Sequence, residues 1–356
     1  MKTIILVGAG STLSDAGSAS KKNKPPLDGG FFFSCKKSND SEFAEIQKYL
    51  IKNYDINPIL PEYDSLERIM AIIYADINNP TIKNSAIEAF RGIIRLFNRR
   101  IAKTTNPIAI TNRSNLFRII AKKLKEGISP CDIDIITFNQ DLHIEKTLEK
   151  LQQTKKYSVL GTLFSFPECY RIHDAHARLS KPTGKTPTFT VTATGTRGIG
   201  VYKLHGSLNW FSTHTSSNVP KGAILSRSKK FKITSRLAIP VRMRFNAGKR
   251  QVYAFPLIIP PVNHKAAIIH DDLHPLWQEA ESKLNNADEI IVFGYSCPAT
   301  DFESANMLRR ATNSGVNPKS FVVIDPSPNT FRRYVDVTCL NHLSFFRDCD
   351  AYIAKG

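Results

Sequence analysis

Over its last third the chain alternates short apolar runs with amphipathic ones, and that alternation limits the folds open to it more than any other feature. It predicts strands at 253–259, 289–293 and 321–325, with helices at 272–286 and 301–313 between them and one at about 327–333 after them. Strands and helices of this length in alternation give a parallel sheet with right-handed crossovers. Near the start, Ile4 to Val7 is an unbroken β-type run that meets Gly8, as a fully buried strand of such a sheet does. Asp134 to Asn139 reads as a further core strand, followed by helix from about Asp141 to Leu151. Gly200 to Gly206 reads as a strand that breaks at a turn.

Two long stretches interrupt this order. Residues 40–128 read as a helical insertion or small subdomain. There Asp64 and Glu67 form a capping box before Leu66, Ile69, Ile73 and Ile77, and Ser85 with Glu88 repeats the device before Ile87, Phe90, Ile94 and Phe97. Leu116, Ile119, Ile120 and Leu124 mark a third amphipathic run. Residues 170–250 read as a Thr-rich and basic loop or hairpin insertion around the strand that leads to His205. Residues 18–37, with Lys21, Lys22, Lys24, Pro25, Pro26, Gly29 and Gly30 before Phe31 to Phe33, read as a long basic loop with an aromatic end. The expected fold is α/β over residues 1–356 as one domain: a Rossmann-like doubly wound parallel sheet with a helical insertion and no zinc module.

Lys plus Arg exceed Asp plus Glu by 49 − 31 = 18, so the chain favours acidic partners: nucleic acid, an anionic surface or a phosphorylated ligand. The most basic stretch, 221–250, carries Arg227, Lys229, Lys230, Lys232, Arg236, Arg242, Arg244, Lys249 and Arg250 with Phe231 and Phe245 interspersed. It suits phosphate contacts with nucleic acid and suits a solvated hairpin equally well.

Cys35, Cys131, Cys169, Cys297, Cys339 and Cys349 form no C-x-x-C pair, which leaves no zinc knuckle to write and fits six small apolar residues in a reducing cytoplasm. His173-Asp174-Ala175-His176, and His264, His270 and His274 beside Asp271 and Asp272, lack further ligands at metal spacing, so no metal is expected. Ile4 to Val7 is shorter than the ~7–15 residues of a signal-peptide core, and no apolar stretch approaches the ~20 residues of a span. A soluble, cytoplasmic protein without a membrane partner is expected.

Five short segments carry the chemistry. Gly8-Ala9-Gly10-Ser11 leaves the first strand; glycine there lets the backbone approach a pyrophosphate, although Leu13 stands where the third glycine of G-x-G-x-x-G belongs. Alone it fits a plain strand-to-loop turn as well. Thr137-Phe138-Asn139-Gln140-Asp141 sets polar side chains at alternate positions on the carboxyl end of a core strand, where ligands of open parallel sheets bind. Leu204-His205-Gly206-Ser207 puts a group that titrates near neutrality at a strand end. Gly294-Tyr295-Ser296 leads through Asp301 into a helix, and Ile324-Asp325-Pro326 ends a strand with a carboxylate suited to a ribose hydroxyl. Helix capping is the plain alternative for Asp301 and Asp325.

In this order the five segments resemble the sirtuin (silent information regulator 2) family, and within it the zinc-free branch of prokaryotic defence proteins that destroy NAD. The resemblance implies that Asn139 and His205 are the catalytic pair and that Asp141 lies near the nicotinamide. It further implies that Gly8, Ala9, Gly10, Ser11, Thr137, Gly294, Ser296 and Asp325 help to hold NAD, which is substrate rather than a retained cofactor. Sirtuin deacylases carry four zinc-binding cysteines and a G-x-P-D-F-R segment; this chain has neither, which favours NAD hydrolysis to nicotinamide and ADP-ribose over deacylation. Such relatives act as homo-oligomers or with a second subunit such as a HerA-type ATPase, so a prokaryotic antiviral effector regulated by assembly is the expected role. The alternative is a nucleic-acid-binding or scaffolding subunit that keeps the fold with little or no turnover.

Overall fold

A computed structural model describes residues 1–17, 24–25, 27, 29–36, 41–63, 65–158, 160–164, 169–170, 188–189, 198–212, 231–234, 243–247, 250–259, 273–313 and 318–355. In chain order its strands are β1 (Thr3–Val7), β2 (Ile133–Thr137), β3 (Thr188–Phe189), β4 (Gly200–Lys203), β5 (Gly206–Ser212), β6 (Phe231–Thr234), β7 (Met243–Ala247), β8 (Arg250–Ile258), β9 (Glu289–Phe293), β10 (Ser320–Ile324) and β11 (Leu343–Phe346). The helices are α1 (Ala9–Asp15), α2 (Phe31–Lys36), α3 (Ser41–Tyr54), α4 (Leu66–Asp76), α5 (Lys83–Thr105), α6 (Asn115–Lys125), α7 (His143–Gln153), α8 (Lys155–Ser158), α9 (His274–Asn285), α10 (Phe302–Asn313), α11 (Pro328–Thr338) and α12 (Cys349–Ala354).

Six strands pair in parallel in the order β11-β10-β9-β1-β2-β4. This is the doubly wound α/β sheet that the alternation predicts. Every residue of β1, β2, β4 and β9 is buried, which explains the unbroken apolar runs: a strand covered on both faces has no water-facing set to make polar. From β1 the chain winds outward through β2 and β4 on one side and, later, through β9, β10 and β11 on the other. The direction of winding therefore reverses between β1 and β9.

The run at 253–259 does not belong to this sheet. As part of β8 it pairs antiparallel with β5 and β7 in a second sheet of order β3-β6-β5-β8-β7 among the described residues. Unlike the parallel strands, β8 carries a proline, Pro256, inside it. Most of the stretch 221–250 lies outside the described residues, as do His173, Asp174, His176, His264, His270, Asp271 and Asp272.

Three expectations in the first third are corrected. Phe31 to Phe33 belong to α2 rather than to a loop, because Phe31 and Phe32 are fully buried and their rings meet edge to face at 5.2 Å. The cap of α4 is Ser65, whose Oγ accepts from the Arg68 N–H; Asp64 lies outside the described residues. α5 begins at Lys83 without a side-chain cap, and Ser85 sits inside it with its hydroxyl donating to the Ile82 carbonyl.

The amino ends of the strands carry a closed polar cluster. Lys123 Nζ lies 2.8 Å from Glu289 Oε1, Thr3 Oγ1 donates to Glu289 Oε2 at 3.1 Å, and all three residues are buried. Burial alone would lower the Lys123 ammonium, but its hydrogen bonds to Glu126 and Glu289 outweigh that and hold it above the ordinary lysine value. Nearer the surface, Lys319 pairs with Asp288 at 3.2 Å.

Candidate active site

At the carboxyl ends of the same strands, the loops after β1 and β9 meet where the winding reverses, the position at which open α/β sheets take ligands. Gly8 N–H donates to the Phe293 carbonyl at 3.2 Å, Gly10 N–H to the Gly294 carbonyl at 2.9 Å, and Gly294 N–H to the Ile324 carbonyl at 3.2 Å. A Cβ on Gly8 would stand 2.5 Å from the Gly294 oxygen, and one on Gly294 would stand 2.2 Å from the Ser11 nitrogen. Gly294 also holds φ +63°, a region that favours glycine. The two turns thus interlock backbone to backbone. Ser11 is buried with its hydroxyl donating to the Gly8 carbonyl at 2.8 Å, while Ala9 and Ser296 are exposed.

The Thr137 to Asp141 segment is fastened from both sides. Thr137 Oγ1 donates to the Val7 carbonyl at 3.0 Å and accepts from the Asn139 N–H at 3.0 Å. Asn139 Nδ2 donates to Thr12 Oγ1 at 3.3 Å, and that hydroxyl donates its own proton to Asp141 Oδ2 at 2.8 Å. The other Asp141 oxygen accepts from the His143 N–H at 3.0 Å, and His143 Nε2 lies 2.8 Å from Asp15 Oδ2. Nδ2 carries a second N–H besides the one given to Thr12 and Oδ1 can accept, so the Asn139 amide can offer a ligand both a donor and an acceptor.

His205 sits in the tight turn between β4 and β5, where Gly206 adopts φ +76°. Leu204 N–H donates to the Thr137 carbonyl at 3.0 Å, Trp277 Nε1 to the Leu204 carbonyl at 2.9 Å, and Ile259 N–H to the His205 carbonyl at 2.9 Å. The buried imidazole packs against Phe138 (centroids 5.2 Å apart) and Trp277 (6.0 Å), with Nε2 3.9 Å from Asp301 Oδ2. Phe138 stacks in turn on Tyr295 at 4.2 Å, and Tyr295 donates its phenol proton to Asp301 Oδ2 at 2.7 Å. Burial, then the nearby Asp301 charge, pushes the Tyr295 phenol well above its usual value and keeps it a donor. Burial likewise pushes the Cys297 thiol up to about 12, which removes it as a thiolate nucleophile.

Four of the five segments therefore converge: the first glycine turn, the Thr137–Asp141 segment, the His205 turn and the Gly294 turn. Asp325 lies on the next loop outward, where its Oδ1 accepts from the Ser327 N–H at 2.9 Å at the start of α11. From α11, Arg333 Nη1 donates to the Ser296 and Cys297 carbonyls at 3.1 and 3.3 Å, and the Tyr334 hydroxyl to the Tyr295 carbonyl at 3.1 Å. Sequence reasoning did not single out Thr12 or Trp277 and gave Tyr295 no role within its motif, and it weighed Asp301 as a helix cap, whereas its carboxylate accepts a hydrogen bond from the Tyr295 hydroxyl. Among the described residues no group of three or more His, Cys, Asp or Glu gathers as a metal site, and no helix is long and apolar enough to cross a membrane.

No family model and no curated protein matches the chain. Among solved structures, it is similar to Sir2Tm bound to a propionylated peptide, with a TM-score of 0.40 and 12% identity over 100% of this chain and 91% of that one. A mutant Sir2 homologue in complex with 2'-O-acetyl ADP ribose gives a TM-score of 0.41 and 12% identity over 99% and 88% of the two chains. A histidine-to-tyrosine Sir2 mutant with a p53 peptide and NAD gives 0.36 and 13% over 100% and 91%.

Proposed function

We propose that the chain hydrolyses NAD at the nicotinamide–ribose bond, releasing nicotinamide and ADP-ribose. The observation that carries this reading is that Asn139, tethered to Thr12, and His205, packed on Phe138 beside Asp301, follow the carboxyl ends of the neighbouring strands β2 and β4.

Cleavage of this bond passes through an oxocarbenium-like state, as in glycoside hydrolysis. The C1'–N bond breaks with its electron pair going to the pyridinium nitrogen, so nicotinamide departs neutral and needs no general acid. Water supplies the new bond to C1' and must lose one proton. His205 accepts it, and Asp301 at 3.9 Å steadies the imidazolium that results. Asn139 Oδ1 orients a ribose hydroxyl or the attacking water. In this reading Asp141 fixes Thr12 and lies near the nicotinamide, while Thr137 fixes the loop. In this reading Gly8, Gly10, Ser11 and Gly294, whose N–H groups bond within the turns, shape a cradle in which the exposed Ala9 and Ser296 meet the phosphates and ribose, and Asp325 takes a ribose hydroxyl. As the family resemblance implies, the activity serves prokaryotic antiviral defence and is released by self-assembly or a partner subunit.

The test is mass-spectrometric measurement of NAD loss and nicotinamide release by the full-length protein, with His205→Ala and Asn139→Ala alongside. Product formation that either substitution abolishes is expected; full activity in either variant would overturn the assigned roles. The net charge of +18 supports a second reading, a nucleic-acid-binding subunit without turnover. Salt-dependent DNA binding with intact NAD would favour it.

A further inference from the structure

Lys203 and Ser207 stand two residues before and two after His205, and both enter one hydrogen-bonded network beneath the site. Lys203 Nζ donates to Glu145 Oε1 at 2.9 Å and also to the Asp141 carbonyl. Tyr170 donates its hydroxyl proton to the same Glu145 oxygen at 2.6 Å. Asn209 Nδ2 donates to the Tyr170 hydroxyl at 2.9 Å, and Ser207 Oγ to Asn209 Oδ1 at 2.6 Å. Lys203, Glu145, Ser207 and Asn209 are 0% exposed and Tyr170 1%. Burial, then the Glu145 charge, pushes the Tyr170 phenol well above its usual value, so it remains a donor to Glu145.

A Lys–Glu pair this deep is a weak source of stability, because the cost of desolvating both charges offsets most of their attraction. Its distinctive property is geometric. One end of the network is the carbonyl of the residue two beyond Asn139; the other end grips the strands on both sides of the His205 turn. The backbone bond from Leu208 N–H to the Gln140 carbonyl at 2.8 Å runs alongside it.

We infer that Lys203, Glu145, Tyr170, Asn209 and Ser207 form a positioning network that sets the His205 imidazole relative to Asn139. The inference rests on the NAD-cleaving reading and deepens it. None of the five touches the reacting atoms; they act through the two residues that do.

The experiment compares full-length protein with Tyr170→Phe and with the charge-free double variant Lys203→Met/Glu145→Met, reading kcat and KM for NAD cleavage and the thermal midpoint. Tyr170→Phe cuts one link while keeping the ring, and the double variant removes both charges so that neither is stranded. Each is expected to lower kcat by about tenfold to 10²-fold, the scale set by a misplacement of about 1 Å, with KM changed by less than about twofold. Lys203→Met/Glu145→Gln, which keeps an acceptor for Tyr170 and strands no charge, should recover part of that loss. Folded variants with wild-type kcat, or with a loss confined to KM, would overturn the inference. If the unaltered protein leaves NAD intact, the NAD-cleaving reading fails by itself. The network is then judged on the isotope-labelled His205 ring signal, assigned by its absence in His205→Ala. A shift of that signal in Tyr170→Phe supports the inference, and an unmoved signal refutes it.

Discussion

The two edges of the parallel sheet are built from the same strands yet spend their buried polar groups differently. At the amino edge Lys123, Glu289 and Thr3 satisfy one another within the cluster, at 2.8 and 3.1 Å. At the carboxyl edge the contacts are spread over several loops: Asn139 is tied by its Nδ2 to Thr12, Asp141 to Thr12 and His143, and the His205 ring packs on Phe138 and Trp277. A closed cluster contributes rigidity. The carboxyl-edge groups instead lie where strand ends, glycine turns and helix starts let a ligand approach.

This contrast can be broken most directly by exchanging its terms. His205→Ala is expected to lower NAD cleavage by roughly 10²–10⁴-fold, the usual worth of a general base, while the thermal midpoint stays near that of the unaltered chain. Steady-state kinetics and a melting curve on one preparation check both halves. Lys123→Met at the opposite edge should do the reverse. It strands the buried Glu289 carboxylate and costs about 3–5 kcal/mol in denaturant unfolding, with turnover unchanged where the protein is folded.

Alkaline titration sharpens the comparison. The folded state keeps the Cys297 thiol protonated up to about 12, whereas the unfolded thiol ionises above 9.0. Stability from this group is therefore complete below pH 9.0 and is lost as pH rises toward about 12. The limiting slope is about 1.4 kcal/mol per pH unit, which Cys297→Ala should flatten in unfolding measured at stepped pH. Thr12→Val should lower kcat by about tenfold, the worth of one or two hydrogen bonds, and Thr12→Ser should restore it. The smallest effect belongs to Lys319→Ala: its pair with Asp288 is exposed, and the melting curve should not move measurably.

How legible these edges were in the sequence follows from the range of the forces involved. Ile4 to Val7, Ile290 to Phe293 and Val322 to Ile324 announce parallel strands because burial on both faces favours runs of apolar side chains. That Asn139, Asp141 and His205 stand at strand ends could be read in the same way. The β8 strand could not be placed, since its partners β5 and β7 are fixed by pairing rather than by local pattern. Phe31 and Phe32 sit amid Pro and Gly that argue for a loop, and only the core they enter makes them helical. Thr12 meets Asp141 across 129 positions, and Lys203 meets Glu145 across 58. No spacing rule reaches that far, so the side chains that hold the site were invisible where those that face the ligand were not.

The interlocked glycine turns carry a consequence for variation of the chain. A methyl group on Gly8 would run into the Gly294 and Tyr295 backbone, and one on Gly294 into the Gly10 and Ser11 backbone, so each turn occupies the space the other's side chain would need. Randomising those codons together should return glycine at both, because no single substitution can be accommodated while its neighbour stays put. New ligand preferences must then arise at Phe138, Tyr295 or Trp277, whose rings can change size without prising apart the two loops that frame them.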